Sequence, residues 1–334
     1  MLQKSLSMKN KRRFYRKIGL ALLSICLLIG LGACSAAKNR HELQTDDGYC
    51  SFSDSLGNQI TLKKRPETVA VLFSSYADIW TTAGGEVRIS VGESLDRGFV
   101  ADNCILVDSG AGHTNIDLER LIQAKPDFVI GTADYDCQVE ACRICAEYGI
   151  PAAAFRVESF SDYLAVLDVF CDITGNRDRY IQYGEEVSER IQALLTETGT
   201  EREPLNILFL RAGNGDRSVK AKNADTNFVC AMLNDLGTHN IADDVPVLLD
   251  SLSLEEIVLS DPDYIFISPM GNEEAAKRHI LSMFASPGWS SLDAVKQNRF
   301  CFLEKELFHY KPNARWDEAY EVLAKIVDAE SSNE

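Results

Sequence analysis

The sequence predicts an α/β protein of two lobes, each with a mainly parallel sheet flanked by helices, joined by one long rigid helix. Three observations carry that expectation. A helix, a Pro-Asp pair and a strand occur together twice, at residues 116–131 (IDLERLIQAKPDFVIG) and 252–268 (LSLEEIVLSDPDYIFIS). Apolar strand-like runs alternate with helical segments along the chain, the pattern of a parallel sheet. Residues 178–198 contain no Pro and no Gly except Gly184. A helix of that length spans roughly 30 Å at 1.5 Å per residue, the width of a domain.

In the duplicated unit Leu118 matches Leu254, Glu119 matches Glu255, Pro126 matches Pro262 and Asp127 matches Asp263. A polar cap, Asp117 or Ser253, opens a short helix. Proline stops it, because the ring bars further helical turns before it. The apolar run that follows reads as a strand buried on both faces. Two such units, far apart and only two, point to sister lobes and not to a solenoid.

The chain has 334 residues, enough for two ordinary domains with ample core. Residues 1–33 hold seven cations and no acid, so without them the formal charge of −16 becomes −23. A body that acidic is a poor nucleic-acid binder, since phosphate contacts need clustered Lys and Arg. The basic run KNKRRFYRK, the apolar residues 18–33 and the small residues Gly32-Ala33 describe a secretory signal. That apolar stretch is short for a bilayer span. Leu31-Gly32-Ala33-Cys34 resembles a bacterial lipoprotein lipobox, which implies cleavage after Ala33 and diacylglyceryl modification of Cys34. The polar residues 34–49 then read as a tether between lipid and body.

From there the elements follow in order. Residues 52–62 read as a hairpin turning at Gly57-Asn58, which tolerate the positive φ of such turns. Strands are expected at 68–73, 89–91, 105–107 and 152–155, with Ser74-Ser75-Tyr76 after the first and then a helix through Trp80 to Gly84-Gly85. Helices are expected at 141–148, ending at Gly149, and at 160–173, closed by Thr174-Gly175. Beyond the long helix come a strand at 206–210, a helix at 227–236 and the second repeat. Apolar residues 280–284, a strand at 300–303 and a helix at 315–329 complete the chain. The expected organisation is therefore a signal (1–33), a tether (34–49), an N-terminal lobe (50–160), connecting helices (161–199) and a C-terminal lobe (200–334).

Several stretches, in this order, carry a family resemblance: the lipobox, GNQITLKKRPETVAVL, NIDLERLIQAKPDFVI, YGIPAAAF, ITGN and the long helix. LNDLGTHNIADD, SLEEIVLSDPDYIFI and PGWSSLDAVKQNRFCFL continue it. Together they resemble the iron-siderophore, haem and vitamin B12 substrate-binding proteins of ABC importers. The resemblance implies an extracytoplasmic, lipid-anchored protein that holds an iron chelate (siderophore or haem) or a corrinoid between its lobes. It implies delivery of that cargo to an ABC permease and its ATPase complex, with no catalysis and no cofactor of its own. It also implies that Glu119 and Glu255 dock to the permease. Read without the family, each Glu simply opposes a helix dipole at the first turn.

Open α/β sheets bind ligands beyond the carboxyl ends of their strands. By that rule the candidates are Ser74, Ser75, Tyr76, His113, Tyr135 and Arg156 in the first lobe. In the second they are Arg211, Lys222, Met270, His309 and Tyr310. Aromatic residues would pack a bulky chelate, and Arg or Lys would meet its carboxylates or phosphates. His113 stands close to where haem-binding relatives place an axial ligand, so it is a candidate haem ligand, with His309 or Met270 opposite. Eight cysteines remain beyond Cys34. Cys137, Cys142 and Cys145 have a spacing that suggests a metal or redox centre, the alternative reading. Cys142 and Cys145 lie three apart on a core-facing helix, which favours buried thiols or one local disulfide. No Gly-x-Ser-x-Gly elbow, His-Glu-x-x-His pair or phosphate-cradling glycine loop points to an enzyme.

Overall fold

The computed structural model describes residues 49–109, 115–198, 203–215 and 218–331. The signal, Cys34, the tether before Tyr49 and His113 lie outside the described residues.

The chain begins with an antiparallel hairpin, β1 (Cys50–Ser53) and β2 (Gln59–Leu62), turning at Gly57 with φ +83°. Next come β3 (Val69–Val71), α1 (Ser74–Thr82), β4 (Ile89–Ser90), α2 (Gly92–Asp96) and β5 (Ile105–Leu106). The first repeat supplies α3 (Leu118–Gln123) and β6 (Phe128–Thr132). After it come α4 (Asp136–Glu147) and β7 (Ala152–Phe155). These strands form a parallel sheet in the order β5-β4-β3-β6-β7.

α5 (Phe160–Thr174) starts at a capping box made by Ser159 and Asp162 and stops at Gly175 in the left-handed region. The connecting helix follows as Arg177–Tyr180, a π turn at Ile181–Glu185 and Glu186–Thr198. The expected helix is present, but it is not uniform. Its π turn holds Gly184, where a Cβ would lie 3.1 Å from Leu164 Cδ2, so the glycine admits close packing on α5.

The second sheet uses β8 (Asn206–Ala212), β9 (Val219–Ala221), α6 (Phe228–Asp235) and β10 (His239–Asn240). The second repeat follows as α7 (Leu254–Ser260) and β11 (Tyr264–Pro269). α8 (Glu273–Phe284), β12 (Phe300–Phe302) and α9 (Trp316–Ser331) end the body, so the apolar residues 280–284 are the end of a helix. The parallel order is β10-β8-β11-β12, with β9 antiparallel to β8.

Strand alternation builds three interiors. Val129 of β6 faces a cluster closed by α3 and α4, with Leu72, Leu121 and Cys145. Ile265 and Ile267 of β11 face a cluster with Leu208, Ile280 and Trp289. The opposite faces, through Phe128 and Ile130 of one sheet and Phe209 and Phe266 of the other, belong to one continuous core. Val187 and Ile191 of the connecting helix and Leu323 of α9 complete it, and Arg190 holds Asp317 at 2.5 Å. The apolar runs are therefore buried on both sides, which explains their lack of polar alternation.

The Pro-Asp pair has a structural role that repeats. The Asp127 carboxylate accepts the amides of Glu67 and Thr68, and its own amide donates to the Thr68 carbonyl at 2.9 Å. Asp263 accepts the Asn206 amide at 2.9 Å and donates to the Asn206 carbonyl at 2.8 Å. Each aspartate thus ties the start of its strand to the start of the neighbouring central strand. The caps differ: Asp117 accepts from the Arg120 amide, whereas Ser253 makes no side-chain cap.

Candidate ligand cleft

The carboxyl ends of both sheets border one cavity of about 420 Å³. The first lobe contributes Phe73 and the start of α1, Glu93 of α2, Asp134 and Tyr135 after β6, and Glu158 after β7. Arg211 at the end of β8, Phe228 at the start of α6 and the segment Phe308–Lys311 close it from the second. Cavities of a few hundred cubic ångströms between lobes are where small ligands bind.

Among the described residues, three side chains cross from lobe to lobe beside this cavity. Lys311 Nζ sits 2.8 Å from Glu158 Oε2 and 4.8 Å from the centre of the Phe228 ring. Burial holds the Lys311 ammonium below its ordinary pKa, and Glu158 opposes that shift. Arg97 lies 3.9 Å over the Tyr310 ring, 3.6 Å from Glu306 and donates to Ser74 Oγ at 3.1 Å. Asn313, buried with φ +51°, donates to the Ser75 carbonyl at 3.0 Å and to Asp78 Oδ2 at 2.7 Å. Burial raises the Asp78 pKa, an effect that Asn313 offsets in part.

The acids at the cavity are largely occupied. Asp134 is held by Arg156 at 2.7 Å, Glu158 by Lys311, and Glu93 accepts from Ser74 Oγ at 2.7 Å. Arg211, by contrast, forms no ion pair among the described residues. The amides of Ser74 and Ser75, in the first turn of α1, have no acceptor among the described residues either. An uncapped helix start beside a free guanidinium favours negative charge. His309 also faces the cavity. Burial and then Arg211 push its pKa down to about 4, and its buried Nδ1 has no hydrogen-bond partner.

Of the residues singled out in the sequence, Ser74, Ser75, Tyr76, Tyr135, Arg211, His309 and Tyr310 line this cavity. Ser74–Tyr76 are not a loop: they form the first turn of α1, which starts two residues after β3 ends. The Tyr76 hydroxyl donates to the Phe155 carbonyl at 2.7 Å, so only part of its ring is offered to the cavity. Arg156 turns to Asp134 instead of lining the cavity. Lys222 and Met270 do not line it: both lie in segments held by backbone bonds to the sheet, Lys222 N to Phe209 O and Met270 N to Ala212 O. His113 is outside the described residues. Glu93, Glu158, Lys311 and Asn313 were not among the sequence candidates. Cys142 and Cys145 are buried in the core beneath β6, and no disulfide is recorded among the described residues. Among the described residues no group of three or more His, Cys, Asp or Glu is arranged to hold a metal.

A family model described as "Periplasmic binding protein" matches residues 69–307. This chain belongs to the periplasmic binding protein family. Its members bind solutes outside the cytoplasm for ABC importers and catalyse nothing, as the sequence resemblance implied. No curated protein sequence matches. Among solved structures, the family member resembles the periplasmic haem-binding protein RhuT from Roseiflexus sp. RS-1 (17% identity, 79% of this chain and 99% of that one, TM-score 0.63). It resembles Staphylococcus aureus SirA complexed with staphyloferrin B (17%, 85% and 98%, TM-score 0.60). It is also similar to the periplasmic vitamin B12 binding protein BtuF of Vibrio cholerae (17%, 80% and 98%, TM-score 0.64). At these identities the shared property is the two-lobed fold.

Proposed function

We propose that this protein is the lipid-anchored substrate-binding protein of an ABC importer and that its cargo is an anionic iron chelate. The observation that carries the reading is that the free Arg211 guanidinium and the unpaired amides of Ser74 and Ser75 border the same cavity, whose acids already have partners. Carboxylate arms of a ferric siderophore would take those donors, with Tyr135, Phe228 and Tyr310 packing its body. A cavity of about 420 Å³ suits a compact chelate, and a corrinoid would need the lobes to part further. Glu119 and Glu255 fit the docking role. Both are exposed in the first turns of α3 and α7, helices that run back from the cavity end of each sheet.

The test is a panel of carboxylate-bearing ferric siderophores, haemin and cobalamin, read by quenching of intrinsic fluorescence. The anionic chelate binds, and Arg211→Glu weakens it by roughly a hundredfold, about 3 kcal/mol for a lost and reversed charge contact. Tight binding that Arg211→Glu leaves unchanged would refute the role of this cation. One observation favours haem as a second reading: His309 is neutral with an unpaired Nδ1, the form that ligates iron. In that case haemin gives a Soret shift that His309→Ala abolishes.

A further inference from the structure

The two repeats are alike in backbone and opposite in charge at their base. Lys63, Lys64 and Arg65 follow β2, are exposed, and form no ion pair among the described residues. Lys125, exposed and unpaired too, precedes the Pro126-Asp127 pair, and Asp127 binds the amides of Glu67 and Thr68. That clamp brings all four cations to one edge, at the amino ends of β3 and β6. In the second lobe Asp263 makes the same clamp to Asn206, with Glu203 in the place of Arg65 and Asp261 in the place of Lys125. The clamp is therefore built in the second lobe with acids where the first has Arg65 and Lys125.

Two further features single out the basic copy. The Tyr49 amide donates to the Leu62 carbonyl at 2.7 Å, so the chain enters the body directly beside Lys63. Lys63 and Lys64 line an open groove of about 1010 Å³ between β2, α4 and β7, whose other charged residues, Asp54, Asp127, Arg143 and Glu147, all have hydrogen-bond partners. Leu56, Ile60, Val139, Ala146, Ile150 and Pro151 give it an apolar lining. Unpaired cations on the wall of a largely apolar groove, on an otherwise acidic body, match an anionic amphiphile.

We propose that the base of the N-terminal lobe is a docking face for anionic phospholipid of the membrane that carries the chain. The four cations take headgroup phosphates, and the groove takes the apolar part of the lipid. This rests on the lipid-anchor reading above. Basic clusters are drawn to anionic bilayers within a Debye length, while the acidic remainder is repelled, so the body would rest on this face. The cavity, at the opposite ends of the same strands, would then point away from the bilayer until the face lets go.

The full lipidated protein, reconstituted on vesicles of phosphatidylcholine with or without phosphatidylglycerol, tests this by lysine acylation read with mass spectrometry. With phosphatidylglycerol, Lys63, Lys64 and Lys125 react roughly tenfold more slowly, and Lys325 is unchanged. The protection vanishes at about 1 M salt, where the Debye length is near 3 Å. It also vanishes at Lys63 and Lys125 in the double variant Lys64→Glu, Arg65→Glu. Equal labelling on both vesicles overturns the proposal, as does equal protection by inorganic phosphate without lipid. Failure to float with neutral vesicles would instead sink the anchor reading. The face is then judged by flotation with anionic vesicles, where binding supports it and no binding overturns it.

Discussion

Asp127 and Asp263 hold the same place in the two repeats yet should not be worth the same. Asp127 accepts two backbone amides, from Glu67 and Thr68, whereas Asp263 accepts one, from Asn206. A hydrogen bond to a charged group contributes about 1.5–3 kcal/mol, and both carboxylates are partly open to water, so the lower figure applies. Asp127→Ala should then cost about 3 kcal/mol and Asp263→Ala about half that. The backbone bonds between each aspartate and its partner strand survive both changes. For a body of this size each kcal/mol lowers the melting temperature by roughly 2 °C, giving drops of about 6 °C and 3 °C. Thermal and urea unfolding followed by tryptophan fluorescence reads this directly, since Trp80, Trp289 and Trp316 are all buried. Equal losses, or a larger loss for Asp263→Ala, would refute the count of amides as the reason for the motif.

Glu119→Arg or Glu255→Arg should abolish cargo uptake in cells while the purified variants bind cargo as the parent does; lost binding in vitro would count against docking. His309 is disfavoured as a cation in the fold, with its pKa down to about 4 against an ordinary 6.5. The unfolded chain therefore takes up the proton first, and the stability due to neutral His309 is full above pH 6.5 and lost as pH falls towards 4. His309→Gln should flatten that part of the stability profile, and an unchanged profile would show that His309 is not its source. Burial pushes the thiols of Cys142 and Cys145 up to about 12 and 11, so iodoacetamide at pH 8 should modify them only after unfolding. Labelling of either in the native protein would contradict their packing.

Much of the scaffold could be read from residue order because its signals are local. The runs 128–130 and 264–266 are apolar on both faces and became the central strands, and Gly175 ended a helix where only a left-handed residue fits. Gly184 stands out as an exception inside a long helix, but the close packing it permits is against Leu164, twenty positions away. The cleft was half legible. Strand ends pointed to Tyr135, Arg211 and His309, but that rule cannot tell which way a side chain turns, so it also selected Arg156, Lys222 and Met270. Lys311 and Glu158 stand 153 positions apart, and Asn313 reaches Ser75 across 238. Nothing near any of them in sequence marks the partner. Ser74–Tyr76 form the first turn of α1, two residues after β3, with the extended Phe73 as its N-cap.

Phe128 and Phe266 belong to different sheets but to the same interior, sealed by Val187 and Ile191. Neither half could therefore be expressed alone without baring a greasy wall that its sister normally covers. Exchange of modules between relatives should be confined to the rim segments around the cleft, because a graft of one whole half would have to rebuild the seam along the rod as well. New specificities in such a molecule would then arise by swapping fingertips while the palm stays in one piece.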